Sequence, residues 1–250
     1  MPEGPGRGSG VDERVARAKQ EVRERVWRLL EERGAARFPG ARGRIPNFRG
    51  VEEAAHRLAT LPEWQRARVL KANPDAAQLP VRARALAEGK RLYVAVPRLR
   101  EERPFLLLEP GRLQVPPRRA VTIRGAATHG RPVRVDELEP VDLVVCGSVA
   151  VNRSGVRVGK GGGFSDLEFG LLVEAGLVGE GTVIATTVHR LQVVDEDLPE
   201  TEHDFRVDLV VTPSEVIRTP RARRPLGILW EHLTEEKVAE VPALAAVRGP

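Results

Sequence analysis

Apolar positions along this chain fall into two rhythms. Val15, Ala18, Val22, Val26, Leu29 and Leu30 recur three and four residues apart, which predicts a helix over Val11–Arg33 closed by Gly34. The same spacing predicts helices over Glu52–Thr60, Leu79–Glu88 and Asp166–Ala175, the last stopped by Gly176. Short runs rich in Val, Ile and Leu predict buried strands at Arg68–Ala72, Leu92–Val96, Phe105–Leu108, Leu143–Cys146, Val149–Val151, Val183–Thr187 and Val207–Val211. Residues 118–139 predict a short helix or an irregular segment, then a β piece at Val133–Val135. Strands alternating with helices predict an α/β fold, a single Rossmann-like three-layer domain with a mostly parallel sheet flanked by helices. Ligands in such folds sit at the carboxyl ends of the strands.

The division expected is a disordered, Gly/Pro-rich segment at 1–10, one domain over 11–219 and an extension over 220–250. Leu229, Trp230, Leu233 and Val238 in that extension predict a short amphipathic helix, packed on the domain or on a second subunit.

The chemistry concentrates after the Leu143–Cys146 strand. There the chain reads Arg157-Val158-Gly159-Lys160-Gly161-Gly162-Gly163-Phe164-Ser165-Asp166. Four glycines in five positions leave backbone N–H groups with little steric cover, and Arg157 and Lys160 bring positive charge. Asp166 precedes an apolar periodic run and reads as a helix N-cap. Strand, turn, glycine loop with two cations and helix make a phosphate-binding candidate. A flexible surface loop is the bland alternative, and the flanking charges count against it.

Composition narrows the partners. The 250 residues are 41% hydrophobic and 30% charged, enough for a sizeable core. No apolar run reaches the ~18 residues of a membrane helix, and the first residues lack an apolar signal region. The single cysteine, Cys146, reads as a core filler, and a cytoplasmic compartment is expected. Net charge is +5, carried mainly by arginine, which suits anionic ligands. Arginine and proline richness with one Met and one Cys suggests a thermophilic source. Aromatic content of 4% leaves few stacking surfaces for RNA.

Arg157 to Asp166 matches in spacing the R-[LV]-G-x-G-x-G-[YF]-x-D signature, and the chain thereby resembles the 5-formyltetrahydrofolate cyclo-ligases, also called methenyltetrahydrofolate synthetases. The form GVRVGKGGGFSDLEFGLL is most similar to the methenyltetrahydrofolate synthetase domain-containing branch, and the resemblance runs from about Val15 to Thr219. It implies ATP- and Mg²⁺-dependent closure of 5-formyltetrahydrofolate to 5,10-methenyltetrahydrofolate. It implies that Lys19 and Arg23 on the first helix join Arg157, Gly159, Lys160, Gly161, Gly162, Gly163, Phe164 and Ser165 around the nucleotide. Arg157 and Lys160 would serve catalysis, and Asp166 and Asp204 would hold Mg²⁺. Asp75 is the nearest acid to the family's substrate-contacting glutamate. ATP and a reduced folate are the implied partners of a monomer or homodimer. Without the resemblance, Lys19 and Arg23 read as a solvated helix face, and Asp204 as a turn cap.

The chain also departs from the family. Phe164-Ser165-Asp166-Leu167 stands where Tyr-Tyr-Asp-Arg is usual, and the turn before the signature is Gly147-Ser148 without the usual proline. The alternatives are a nucleotide-binding member with another substrate or no catalysis and, less favoured, an RNA-binding protein suggested by the arginine content and the Arg37–Arg49 loop.

Overall fold

The computed structural model describes residues 9–220 and 224–248. Eleven strands form among them: β1 (Val69–Ala72), β2 (Arg91–Ala95), β3 (Phe105–Leu108), β4 (Arg131–Val133), β5 (Leu143–Cys146), β6 (Ala150–Asn152), β7 (Arg157–Val158), β8 (Val183–Thr187), β9 (Val193–Val194), β10 (Leu209–Val211) and β11 (Val216–Arg218). The α-helices are α1 (Ser9–Glu32), α2 (Val51–Ala59), α3 (Pro62–Arg66), α4 (Leu79–Ala87), α5 (Pro117–Ala120), α6 (Ile123–His129), α7 (Phe164–Glu174), α8 (Glu235–Glu240) and α9 (Pro242–Arg248).

Eight strands build one sheet in the order β11-β10-β8-β5-β1-β2-β3-β4. The five central strands, β10 to β2, run parallel, with Leu70 opposite Leu143 and Val144 opposite Ile184. The edge strands β11, β3 and β4 are antiparallel. The mostly parallel sheet flanked by helices is the architecture the alternating pattern predicts.

The period-2 alternation of each strand divides the core between two faces. Leu70, Leu92, Val94, Leu106, Leu143 and Val145 pack with Leu58, Val81 and Ala126 from α2, α4 and α6. Val69, Tyr93, Phe105, Leu107 and Val144 pack on the other face with Phe169, Leu171 and Leu172 of α7. Central strands buried on both sides take mostly apolar residues, hence runs such as Leu143–Cys146, with Lys71 of β1 and Thr186 and Thr187 of β8 the buried polar exceptions. A third cluster joins Val22, Val26, Trp27 and Leu30 of α1 to Val149 and to Ala150 and Val158 of a small sheet, β7-β6-β9.

Several boundaries move. The first helix begins at Ser9, ahead of the expected Val11, and the rest of the 1–10 segment, residues 1–8, lies outside the described residues. Residues 117–137 resolve into α5, α6, β4 and a 3₁₀ turn, with β4 two residues earlier than its β-branched residues suggest, because Phe105 pairs with Val133. The last parallel strand starts at Leu209, not Val207. The Val207 N–H goes instead to the Gly155 carbonyl, and β11 follows as an added antiparallel edge.

The extension packs on the domain. Val241 and Leu244 are fully buried against the α7 face, and the Ile228 N–H donates to Glu174 at 3.0 Å. Gly170 of α7 permits the approach, since a Cβ there would stand 2.9 Å from Ile228. The Arg44-Ile45-Pro46 stretch also finds its place. Its Arg44 carbonyl accepts from the Trp27 indole at 2.9 Å, and Ile45 lies so close to Gly147 that a Cβ there would stand 2.7 Å away.

Candidate functional site

The sheet fixes where a ligand can enter. From β1 the chain winds outward through β2, β3 and β4, then returns to the other side of β1 with β5 and continues through β8, β10 and β11. The winding direction therefore reverses between β1 and β5, and the crevice at the carboxyl ends of two such strands is the expected ligand position. Asn73-Pro74-Asp75 follows β1 there, and Gly147-Ser148 follows β5.

The glycine loop closes over this crevice. Gly161 and Gly163 take positive φ, 105° and 70°, a region that other residues occupy with strain. The successive N–H groups of Lys160, Gly161, Gly162 and Gly163 find no acceptor among the described residues. They lead directly into α7, whose N-cap is Gly163 and carries no capping side chain. This corrects the reading of Asp166 as the N-cap. Asp166 lies in the first turn of α7, and its carboxylate accepts from the Arg157 guanidinium at 2.7 Å. Free N–H groups at the start of a helix form a concavity with positive potential, suited to phosphate oxygens.

Four cations surround the loop. Arg23 on α1 donates its Nε to the Gly159 carbonyl at 2.7 Å, and its guanidinium lies against Gly161. Burial lowers the Arg23 pKa, against the attraction of Asp204. Lys19, one turn earlier, bonds the Asp204 carboxylate. Both side chains thus turn toward residues 157–166 and not to open solvent. Arg157 on β7 is buried, spans Asp166 and the Gly147 carbonyl, and lies 4.0 Å from the Phe205 ring centroid. Its Nε has no hydrogen-bond partner among the described residues. Lys160 is half exposed and stands 3.4 Å from Asp75. Ser165 accepts from Asn73 at 3.2 Å, and Phe164 carries the Lys237 ammonium of α8 3.6 Å from its ring centroid.

The charges of the two candidate metal carboxylates act on one another. Burial pushes the Asp166 carboxyl up against the pull of Arg157, and the charge of Asp204 adds to the rise. Asp204 is also desolvated, yet Lys19 and hydrogen bonds from Thr201 hold its carboxyl below the usual range. Thr201 donates its N–H and hydroxyl to Asp204 at 2.6 and 2.8 Å, so Asp204 caps a turn as well. Among the described residues, no group of three or more His, Cys, Asp and Glu side chains could hold a metal ion. Two carboxylates whose charges interact beside the glycine loop nevertheless fit Mg²⁺, which typically takes one or two carboxylates and fills its other positions with phosphate and water. The Lys19 ammonium bonds Asp204 and its charge also acts on Asp166.

Supports that no motif revealed lie beneath this surface. Lys71 on β1, buried, bonds Glu168 of α7 and Asn73 at 2.8 Å. Arg82 of α4 clamps the turn after β1 by donating to the carbonyls of Asn73, Asp75 at 2.9 Å and Pro74 at 3.1 Å. Burial lowers its pKa to about 10, despite the nearby Asp75 charge. A lysine in an apolar run and an arginine on an amphipathic helix were the available signals. Pro74 also lines a cavity of about 780 Å³ with Val96, Leu106 and Ile123, and Pro242 of the extension forms part of its wall. His189 caps a 3₁₀ turn by accepting from the Leu191 N–H at 3.2 Å. Cys146 is buried, its thiol pushed up by desolvation, consistent with a core filler.

Comparison with known proteins gives a consistent result. A model of the 5-formyltetrahydrofolate cyclo-ligase family matches residues 15–213. A methenyltetrahydrofolate synthase domain-containing protein of Bos taurus is 39% identical over 244 residues, covering 95% of this chain and 64% of the relative. Its counterpart in Mus musculus is 41% identical over 237 residues, covering 92% and 63%. The chain therefore spans just under two thirds of these relatives' length. Among solved structures, the Aquifex aeolicus 5,10-methenyltetrahydrofolate synthetase aligns with a TM-score of 0.52 and 23% identity, over 88% of this chain and 99% of its own, which supports the shared fold.

Proposed function

Because this chain belongs to the 5-formyltetrahydrofolate cyclo-ligase family, we propose that it uses ATP to close 5-formyltetrahydrofolate into 5,10-methenyltetrahydrofolate. The observation that carries this reading is the row of four unbonded N–H groups, Lys160 to Gly163, ringed by Lys19, Arg23, Arg157 and Lys160 at the β1/β5 reversal.

In the proposed reaction the formyl oxygen takes the terminal phosphoryl group of ATP, and ADP leaves. N10 of the folate then attacks the activated carbon, and inorganic phosphate departs with the oxygen. No protein nucleophile is needed; the protein's work is alignment and charge neutralisation. The loop amides and Arg23 hold the phosphates. Arg157, fixed by Asp166, Gly147 and Phe205, presents a guanidinium with little freedom to reorganise. Lys160, the most exposed of the four, is placed to accompany the transferred group. Bound Mg²⁺ would supply charge neutralisation between phosphate oxygens, with Asp166 and Asp204 as its protein ligands. When Lys19 turns to a phosphate, Asp204 becomes available.

For the folate, Asp75 faces the loop from the turn after β1, and the cavity beside Pro74 offers an apolar wall of a size suited to a folate ring system. The test is direct. Purified protein with ATP, Mg²⁺ and 5-formyltetrahydrofolate should develop the absorbance of the methenyl product. ATP binding without that product would favour the alternative of a family member acting on another substrate. Phe164 and Ser165, in place of two tyrosines, motivate that alternative.

A further inference from the structure

A second cavity, of about 340 Å³, opens at the far end of α1. Its lining includes Arg33, just past the helix end, Arg49 at the close of the Ala36–Gly50 loop, and Arg190 with His189 in the turn after β8. Three separate parts of the chain thus bring three guanidinium groups to one opening. No Asp or Glu lines it. The side chains of Arg33, Arg49 and Arg190 have no hydrogen-bond or ion-pair partner among the described residues. Elsewhere Arg25, Arg91, Arg103, Arg118, Arg206 and Arg218 each meet a glutamate; what distinguishes Arg33, Arg49 and Arg190 is that they line one opening together.

All three arginines are exposed, so solvent screens their mutual repulsion. A guanidinium stays charged at every working pH, so the opening keeps a local excess of positive charge that an anion can neutralise. Planar forks of N–H donors match phosphate oxygens two at a time. The site is separate from the glycine loop. Arg33 stands ten residues beyond Arg23, about 15 Å along the helix axis.

We propose that this opening is a second anion site that binds a phosphate-bearing small molecule. Arg33, Arg49 and Arg190 supply the charge, and the cavity holds a group of pyrophosphate size. This gives the arginine-rich Ala36–Gly50 loop a role that the nucleotide site does not absorb.

Pyrophosphate is the probe. The glycine loop also binds phosphate in the reading above, so the test is run in the K160A background, whose loop is weakened. At tenfold excess over its Kd, pyrophosphate should raise the Tm of K160A by about 3 °C. Adding R49Q and R190Q should abolish the shift while leaving ATP binding to the otherwise native protein unchanged. The R49Q/R190Q protein should also be about as stable as wild type in anion-free buffer, because exposed side chains without partners among the described residues contribute little to stability. An equal pyrophosphate shift with and without R49Q/R190Q overturns the proposal. Protection by a single-stranded RNA oligonucleotide but not by pyrophosphate also overturns it and assigns the face to nucleic acid.

Discussion

Replacing Arg157 with Gln tests the site at its most constrained point. Arg157 is the buried partner of Asp166, bonded at 2.7 Å, with side-chain exposures of 2% and 18%. Removing one member of a buried pair leaves the other charge unpaired, a loss of ~3–5 kcal/mol, out of ~5–15 kcal/mol for a whole domain. Asp166 has an escape, which is to take up a proton. Its carboxyl is already pushed up by burial, and without Arg157 it rises further. A folded-state pKa above the unfolded value of ~3.9 stabilises the fold only below that value. The benefit is lost as pH climbs toward the raised pKa. R157Q should therefore lose up to about 1.4 kcal/mol relative to wild type per pH unit across that window. Urea denaturation of both proteins at pH 5 and pH 7.5 reads this out. The double variant R157Q/D166N removes both charges and should recover most of the loss at pH 7.5. ATP affinity should stay weak in the double variant, which separates the guanidinium's structural duty from its ligand duty. A pH-independent loss that D166N fails to rescue would refute the reasoning.

Lys160→Ala should weaken ATP binding several-fold by calorimetry while changing stability by less than ~1 kcal/mol, since its pair with Asp75 is long and half exposed. Asp166→Asn alone should reduce the Mg²⁺ dependence of ATP binding, and an unchanged dependence would reduce Asp166 to a partner of Arg157. Leu244→Ala should cost ~2–5 kcal/mol in chemical denaturation, because Leu244 is fully buried among core residues. A neutral result would mean that the extension is not part of the cooperative unit.

The central strands were legible because burial on both faces leaves mostly apolar residues, and a run such as Leu143–Cys146 admits few other readings. The loop was legible because glycine is needed where φ is positive. Of the antiparallel edge strands, β3 was read at its bounds, β4 was placed two residues late and β11 was not read. β4 contains Pro132 and only one buried residue, so its pairing with β3 was set by tertiary contact and left no local pattern. Asp166 was misread because an acid before an apolar run looks like a cap, whereas the actual cap, Gly163, works through backbone conformation. Lys71 and Arg82 were passed over because a buried cation is recognised only by its partners, and Glu168 lies 97 positions from Lys71. The geometry around Lys19 and Arg23 was foreseeable through family resemblance alone, since their spacing fits any solvated helix face.

The reversal of winding between β1 and β5 also bears on how the molecule could be divided. β1 to β4 occupy one contiguous stretch, 69–133, and β5 to β11 another, 143–218. In the large sheet these stretches meet along a single seam, Leu70 to Ala72 against Leu143 to Val145. A cut in the segment 134–140 would leave two fragments, each with all of its other main-sheet pairings internal. Asp75 would travel with one fragment, and Arg157, Lys160 and Asp166 with the other. Neither would hold a complete phosphate cradle with its opposing acid. The crevice is thus a property of the seam, and activity regained on mixing the fragments would report the joining of β1 to β5.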